Sequence, residues 1–128
     1  MLVGTGIDMI EIHRIAQSID RFGDRFLSRV FTPGEIAYCR NKKNSAESFA
    51  ARFAAKEAGM KAIGTGWNRG VTWKDFEVVN ERSGRPKLYL HGVAQKMAEQ
   101  LRVKQVTLSL THTKENAFAV VILESTDA

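Results

Sequence analysis

A single cysteine, Cys39, in 128 residues excludes an internal disulfide. It also lacks the neighbouring ligands of a zinc site and fits a reducing compartment. It reads as a small buried or half-buried side chain. No apolar run approaches the ~18 residues of a membrane span. The opening MLVGTGIDMIEIHR has no basic segment ahead of its apolar residues, so a cytoplasmic protein with no membrane partner is expected. There are only two prolines and no repeat, low-complexity tract or linker. At 128 residues and 44% hydrophobic composition, one compact core is affordable and two ordinary domains are not. A single domain over residues 1–128 is expected.

The charge is less evenly balanced. A net charge of +5 and a pI near 9.6 favour an anionic partner: nucleic acid, a phosphorylated small molecule, a membrane surface or an acidic protein. Arginines mixed with acids and the lack of an aromatic stacking platform speak against nucleic acid. A non-catalytic protein-binding module is a further alternative, but it leaves the carboxylates described next without a task.

Ser45 to Gly66 is the strongest helix signal. It is rich in Ala, Met, Lys and Glu, Asn44 or Ser45 can cap its start, and Gly64 can stop it. At about 100° per residue, Phe53, Glu57 and Lys61 fall on one side and Arg52 and Lys56 on another. The rest of its surface is apolar, so most of the helix should be buried. A Glu and a Lys one turn apart form either an ordinary surface pair or, among such neighbours, charges opening onto a cleft that needs a charged guest.

Leu2 to Met9 reads as a buried strand. Gly4, Gly6 and Asp8 share one face, while Val3, Thr5, Ile7 and Met9 share the other. Asp8 can cap the next helix. Alternatively, the missing Cβ atoms let a backbone or a bulky ligand approach the carboxylate. If Asp8 and Glu57 meet, two oxygen ligands with room for water and phosphate suit Mg²⁺, and Lys61 would face a phosphate.

Further along, a helix from Ile10 to about Phe22 buries Ile12, Ile15, Ala16 and Ile19, and its outer face carries Arg14 and Arg21. Arg25 extends that stripe only if the helix continues past Gly23. Thr32-Pro33-Gly34-Glu35 forms a capping box with proline at the first helical position, and Arg40 to Lys43 makes a basic loop. Phe76 to Glu81 and Lys87 to His91 flank a hairpin loop. Gly92 to Arg102 forms a helix burying Val93, Ala94, Met97, Ala98 and Leu101. Val106 to Thr111 and Ala117 to Leu123 are strands, the last one central. Together these elements give an α+β fold with helices packed on one face of a mainly antiparallel sheet.

Gly6-Ile7-Asp8, with Arg52-Phe53-Ala54-Ala55-Lys56-Glu57-Ala58-Gly59-Met60-Lys61 about fifty residues later, resembles the signature of the 4′-phosphopantetheinyl transferases. The short length and the wording around Glu57 resemble the holo-acyl-carrier-protein synthase branch. Gly59 departs from the larger residue usual there. The resemblance implies transfer of 4′-phosphopantetheine from coenzyme A to a serine of apo acyl carrier protein, a step serving fatty acid biosynthesis. It implies a homotrimer with each coenzyme site at a seam between subunits. Asp8 and Glu57 would hold Mg²⁺, and Lys61 would stabilise the departing phosphate. The serine's base would be Glu57 or a metal-bound water. By the same resemblance Lys43, Arg52, Gly64, Pro86, His112 and Thr113 lie along the coenzyme, Lys43 toward its 3′-phosphoadenosine end. Arg14, Arg21 and Arg25 would pair with the acidic carrier. His13 and His91 match nothing in the family pattern.

Overall fold

The computed structural model describes residues 1–64 and 70–126. Its main sheet has three antiparallel strands in the order β1 (Leu2–Glu11), β5 (Asn116–Ser125) and β4 (Val103–His112). A separate antiparallel hairpin joins β2 (Phe76–Asn80) to β3 (Pro86–Leu90). Helices α1 (Ile12–Phe22), α2 (Asp24–Val30), α3 (Pro33–Arg40), α4 (Ser45–Ile63) and α5 (Gly92–Gln100) complete the α+β architecture. The last strand is central, as its apolar run predicts. Ala117, Ala119, Val121 and Leu123 are buried along one of its faces, and α4 lies across β1 and β5 on the main sheet.

The glycines of β1 set how close α4 comes. A Cβ on Gly4 would collide with the carbonyl oxygen of Ala62, and one on Gly6 with that of Ala58. The bare strand face therefore accommodates the helix backbone itself. The opposite face is uncovered. Ile7 and Met9 are 64% and 53% exposed, so β1 is an edge strand covered on its glycine face, not the buried strand that its apolar residues predict.

β1 also runs further than predicted. Ile10 pairs with Ala117 and Glu11 with Asn116, which delays the start of α1 to Ile12. Ile12 and Ile15 are buried, whereas Ala16 and Ile19 are half-buried. Gly23, with φ of 55°, then ends the helix. Arg25 consequently rides on α2 and does not continue the arginine stripe of α1.

The Thr32–Glu35 capping box forms in full. Glu35 does more than cap, however. Its Oε1 lies 2.7 Å from Lys56 Nζ with both side chains fully buried, and its Oε2 accepts from the Val78 N–H at 2.8 Å. Lys56 also donates to the carbonyls of Trp73 (3.2 Å) and Phe76 (2.5 Å). One ion pair thus ties α3, α4 and β2 together. Burial pushes the Lys56 pKa down and Glu35 pulls it back.

α5 ends at Gln100, and Arg102 takes a left-handed φ of 61°. Leu101 is therefore already outside the helix and 44% exposed, and Val93 is 38% exposed, contrary to the burial predicted for both. Ala94 and Ala98 do the packing, with Met97 half-buried. α4 stops at Gly64, whose φ of 81° requires glycine. Thr65 and Gly66 lie outside the described residues.

Two substitutions test this framework. Lys56→Met leaves Glu35 buried without its cation, and should cost about 3–5 kcal/mol in chemical denaturation. At Gly59 a Cβ would sit 2.6 Å from Cδ1 of the fully buried Phe76. Gly59→Ala should therefore lower the melting temperature, because overpacking of about 1–3 kcal/mol exceeds the ~1 kcal/mol gain in helix propensity.

Candidate active site

Asp8 follows Gly6 on the covered face of β1 and comes out beneath the last turns of α4. Lys61 Nζ meets Asp8 Oδ1 at 2.9 Å and donates to the Ile7 carbonyl at 3.0 Å. One turn earlier, the half-buried Glu57 has its pKa raised by burial first and by the Asp8 charge second. A hydrogen bond from the Trp73 side chain and the Lys61 charge pull it back. Trp73 is itself held against Phe53, ring to ring at 6.0 Å. Asp8, Glu57 and Lys61 are therefore neighbours, as the sequence argument requires.

Two neighbouring carboxylates, Asp8 and Glu57, form a hard-oxygen donor pair. Among the described residues no cluster of three or more metal-ligating side chains occurs. Asp8 and Glu57 could supply two oxygen ligands to a cation that takes the rest of its ligands from water or phosphate. The Lys61 ammonium already lies on Asp8, marking the spot as one that holds positive charge.

Glu57 also opens onto a groove of about 460 Å³ along α1, where Arg14, Arg21, Phe22, Phe26 and Phe53 line the walls. Arg25 lines a different hollow of about 540 Å³ with Phe22, Phe26 and Arg29. The two hollows share the Phe22 and Phe26 ridge.

Lys43, Arg52 and His112 gather elsewhere, in a cleft of about 440 Å³ between the loop before α4 and the end of β4. His112 Nε2 lies 3.3 Å from Glu47 Oε1, and Arg52 donates to Asn80 Oδ1 at 2.6 Å. Thr113 serves the β4–β5 turn, its hydroxyl accepting from the N–H groups of Asn116 and Glu115 at 3.0 and 3.2 Å. Pro86 faces a third cleft, of about 570 Å³, between the hairpin and β4, beside Arg85 and Lys104. At Gly64 no described residue occupies the space a Cβ would take. Within one chain the predicted coenzyme residues therefore fall on separate surfaces.

Sequence reasoning missed Trp73 as a partner of Glu57, since it is fixed by tertiary contact alone. It also missed Lys56, for which a signal existed: a lysine on an otherwise apolar helix face needs a buried carboxylate.

Residues 4–121 match the family model described as the 4′-phosphopantetheinyl transferase superfamily. The chain is 61% identical to the holo-[acyl-carrier-protein] synthase of Solibacter usitatus over 125 residues, 98% of this chain and 100% of the relative. It is similar to the crystal structure of the Neisseria meningitidis holo-[acyl-carrier-protein] synthase, with a TM-score of 0.88, 30% identity and coverage of 98% and 100%. The Bacillus anthracis holo-(acyl-carrier-protein) synthase in complex with CoA (3′,5′-ADP) gives a TM-score of 0.81 at 39% identity, covering 98% of this chain and 99% of that one.

The raised Glu57 pKa has a signed consequence. The folded state holds this proton to higher pH than the unfolded chain does, so the ionised carboxylate costs stability above the folded pKa. That cost vanishes below the usual carboxylate range. In EDTA, the melting-temperature advantage of Glu57→Gln over wild type should grow as pH rises through the window above about 4.5 and then level off. An advantage that grows on acidification would contradict the assignment.

Proposed function

The chain belongs to the 4′-phosphopantetheinyl transferase superfamily, and on that basis we propose how its charged surfaces divide the family's reaction. The chain transfers the 4′-phosphopantetheine group from coenzyme A to a serine of apo acyl carrier protein and releases adenosine 3′,5′-bisphosphate. The observation that carries the assignment of roles is the position of Glu57. It lies beside Asp8 and Lys61 and at the same time opens onto the arginine groove of α1.

In this reading Asp8 and Glu57 hold Mg²⁺, which neutralises charge on the pyrophosphate when bound. Arg14 and Arg21, joined across the Phe22 ridge by Arg25, receive the acidic carrier and present its serine at Glu57. Glu57 takes the proton of the serine hydroxyl. The serine oxygen attacks the β-phosphorus in line, and the bond to the adenosine-side phosphate oxygen breaks. Lys61 stabilises the charge that develops on that oxygen.

Lys43, Arg52 and His112 hold the 3′-phosphoadenosine end, and Gly64, Pro86 and Thr113 flank the coenzyme. These residues lie on different faces of one chain, which supports a homotrimer with each coenzyme spanning two subunits. The uncovered sheet face supports it too. There Ile7 sits opposite Val120 and Met9 opposite Phe118, an apolar patch for subunit contact. Among the described residues no helix is long and apolar enough to cross a membrane. The buried free thiol of Cys39 is consistent with a cytoplasmic protein.

Intact-protein mass spectrometry of an apo carrier incubated with the chain, coenzyme A and Mg²⁺ should show the gain of one phosphopantetheine, and none in EDTA. Asp8→Asn should cost at least ~10² in turnover and abolish the Mg²⁺-induced rise in melting temperature. Full activity of that variant, or an unchanged thermal response to Mg²⁺, would remove Asp8 from the metal.

A further inference from the structure

The cleft of Lys43, Arg52 and His112 has an aromatic wall. Tyr38, from α3, is half-buried there. Its ring carries two cations, with Lys42 Nζ at 4.4 Å and the Arg52 guanidinium carbon at 4.6 Å from the centroid. Arg52 is only 6% exposed and bonds a neutral amide, Asn80. Among the described residues neither Lys42 nor Arg52 is ion-paired with a carboxylate.

A buried guanidinium and a nearby ammonium repel each other, and a neutral amide compensates little. The negative face of an aromatic ring supplies what the carboxylates do not: attraction for both cations with no formal charge to compete with a ligand. The carboxylate that does line the cleft, Glu47, is occupied with His112.

We propose that Tyr38 is a positioning residue. Its ring gathers Lys42 and Arg52 beside Lys43 into a receptor for a phosphomonoester dianion, and so sets the preference for coenzyme A over its 3′-dephospho form. This rests on the cleft taking the 3′-phosphate end of the coenzyme. Lys42 thereby joins the cations of the site, and Tyr38 acts through them without touching the reacting atoms.

The test compares steady-state kinetics with coenzyme A and with 3′-dephospho-coenzyme A, on apo carrier and Mg²⁺, for wild type, Tyr38→Phe and Tyr38→Leu. Wild type should prefer coenzyme A. Tyr38→Leu should raise KM for coenzyme A about five- to tenfold, with kcat and the KM for the dephospho form unchanged. Tyr38→Phe keeps the ring face and should match wild type. A merely structural role would raise both KM values together, and that result overturns the proposal, as does an unaltered preference in Tyr38→Leu. Wild type without any preference would overturn the reading of the cleft and the proposal with it. Should Tyr38→Leu melt below the assay temperature, Lys42→Met reads the same pair from its exposed partner. A selective loss for coenzyme A supports the proposal, and a retained preference overturns it.

Discussion

Everything in this fold depends on the contact between a strand face without side chains and a helix backbone. Gly4 and Gly6 let the carbonyls of Ala58 and Ala62 settle against β1, and no other residue type could occupy those positions. The contact places the next residue on that face, Asp8, beneath the turn of α4 that carries Glu57 and Lys61. The helix in turn is nearly all alanine where it meets the sheet, so both partners gave up side-chain volume to bring carboxylates and an ammonium together. Placing like charges side by side is unfavourable, and the framework that holds them is correspondingly firm. The Lys56–Glu35 pair ties another side of the same helix to α3 and β2.

Much of this was legible in the chain. The α+β class, the central last strand, the capping box at Thr32 and the span of α4 follow from periodicity, caps and turn chemistry. The wording of two motifs, Gly6-Ile7-Asp8 and Arg52 to Lys61, carries the resemblance to the family. Other features depend on three-dimensional neighbours and left little local trace. The exposure of Ile7 and Met9 is an example: apolar residues on a strand signal that a surface will be covered, not by what. The break at Gly23 is another, since a glycine inside a helical pattern is tolerated as often as it terminates. Leu101 and Val93 show the same limit at helix ends, where one residue's shift turns an inward side chain outward.

The charged surfaces also differ in kind. Asp8 and Glu57 are two carboxylates sharing one lysine, Lys61. The cleft of Lys43, Arg52 and His112 is lined mainly by cationic and polar side chains. In the proposed reading the first surface takes the pyrophosphate with its counter-ion and the second takes the coenzyme's 3′-phosphate end. The α1 groove differs again, combining arginines with phenylalanines, and in the proposed reading it receives the acidic carrier.

The bare face of β1 has one more effect, on how the chain arrives at its native state. Strand pairing in a sheet can slip by a residue, and such a slip exchanges the two faces. In β1 it would press Thr5 and Ile7 toward the carbonyls of α4 and turn Asp8 outward, so the longest helix could not close over the sheet. A mispaired strand therefore cannot be hidden inside a finished molecule. The glycines act as a proofreading device during folding, passing only the alignment in which the acidic residue faces its partners.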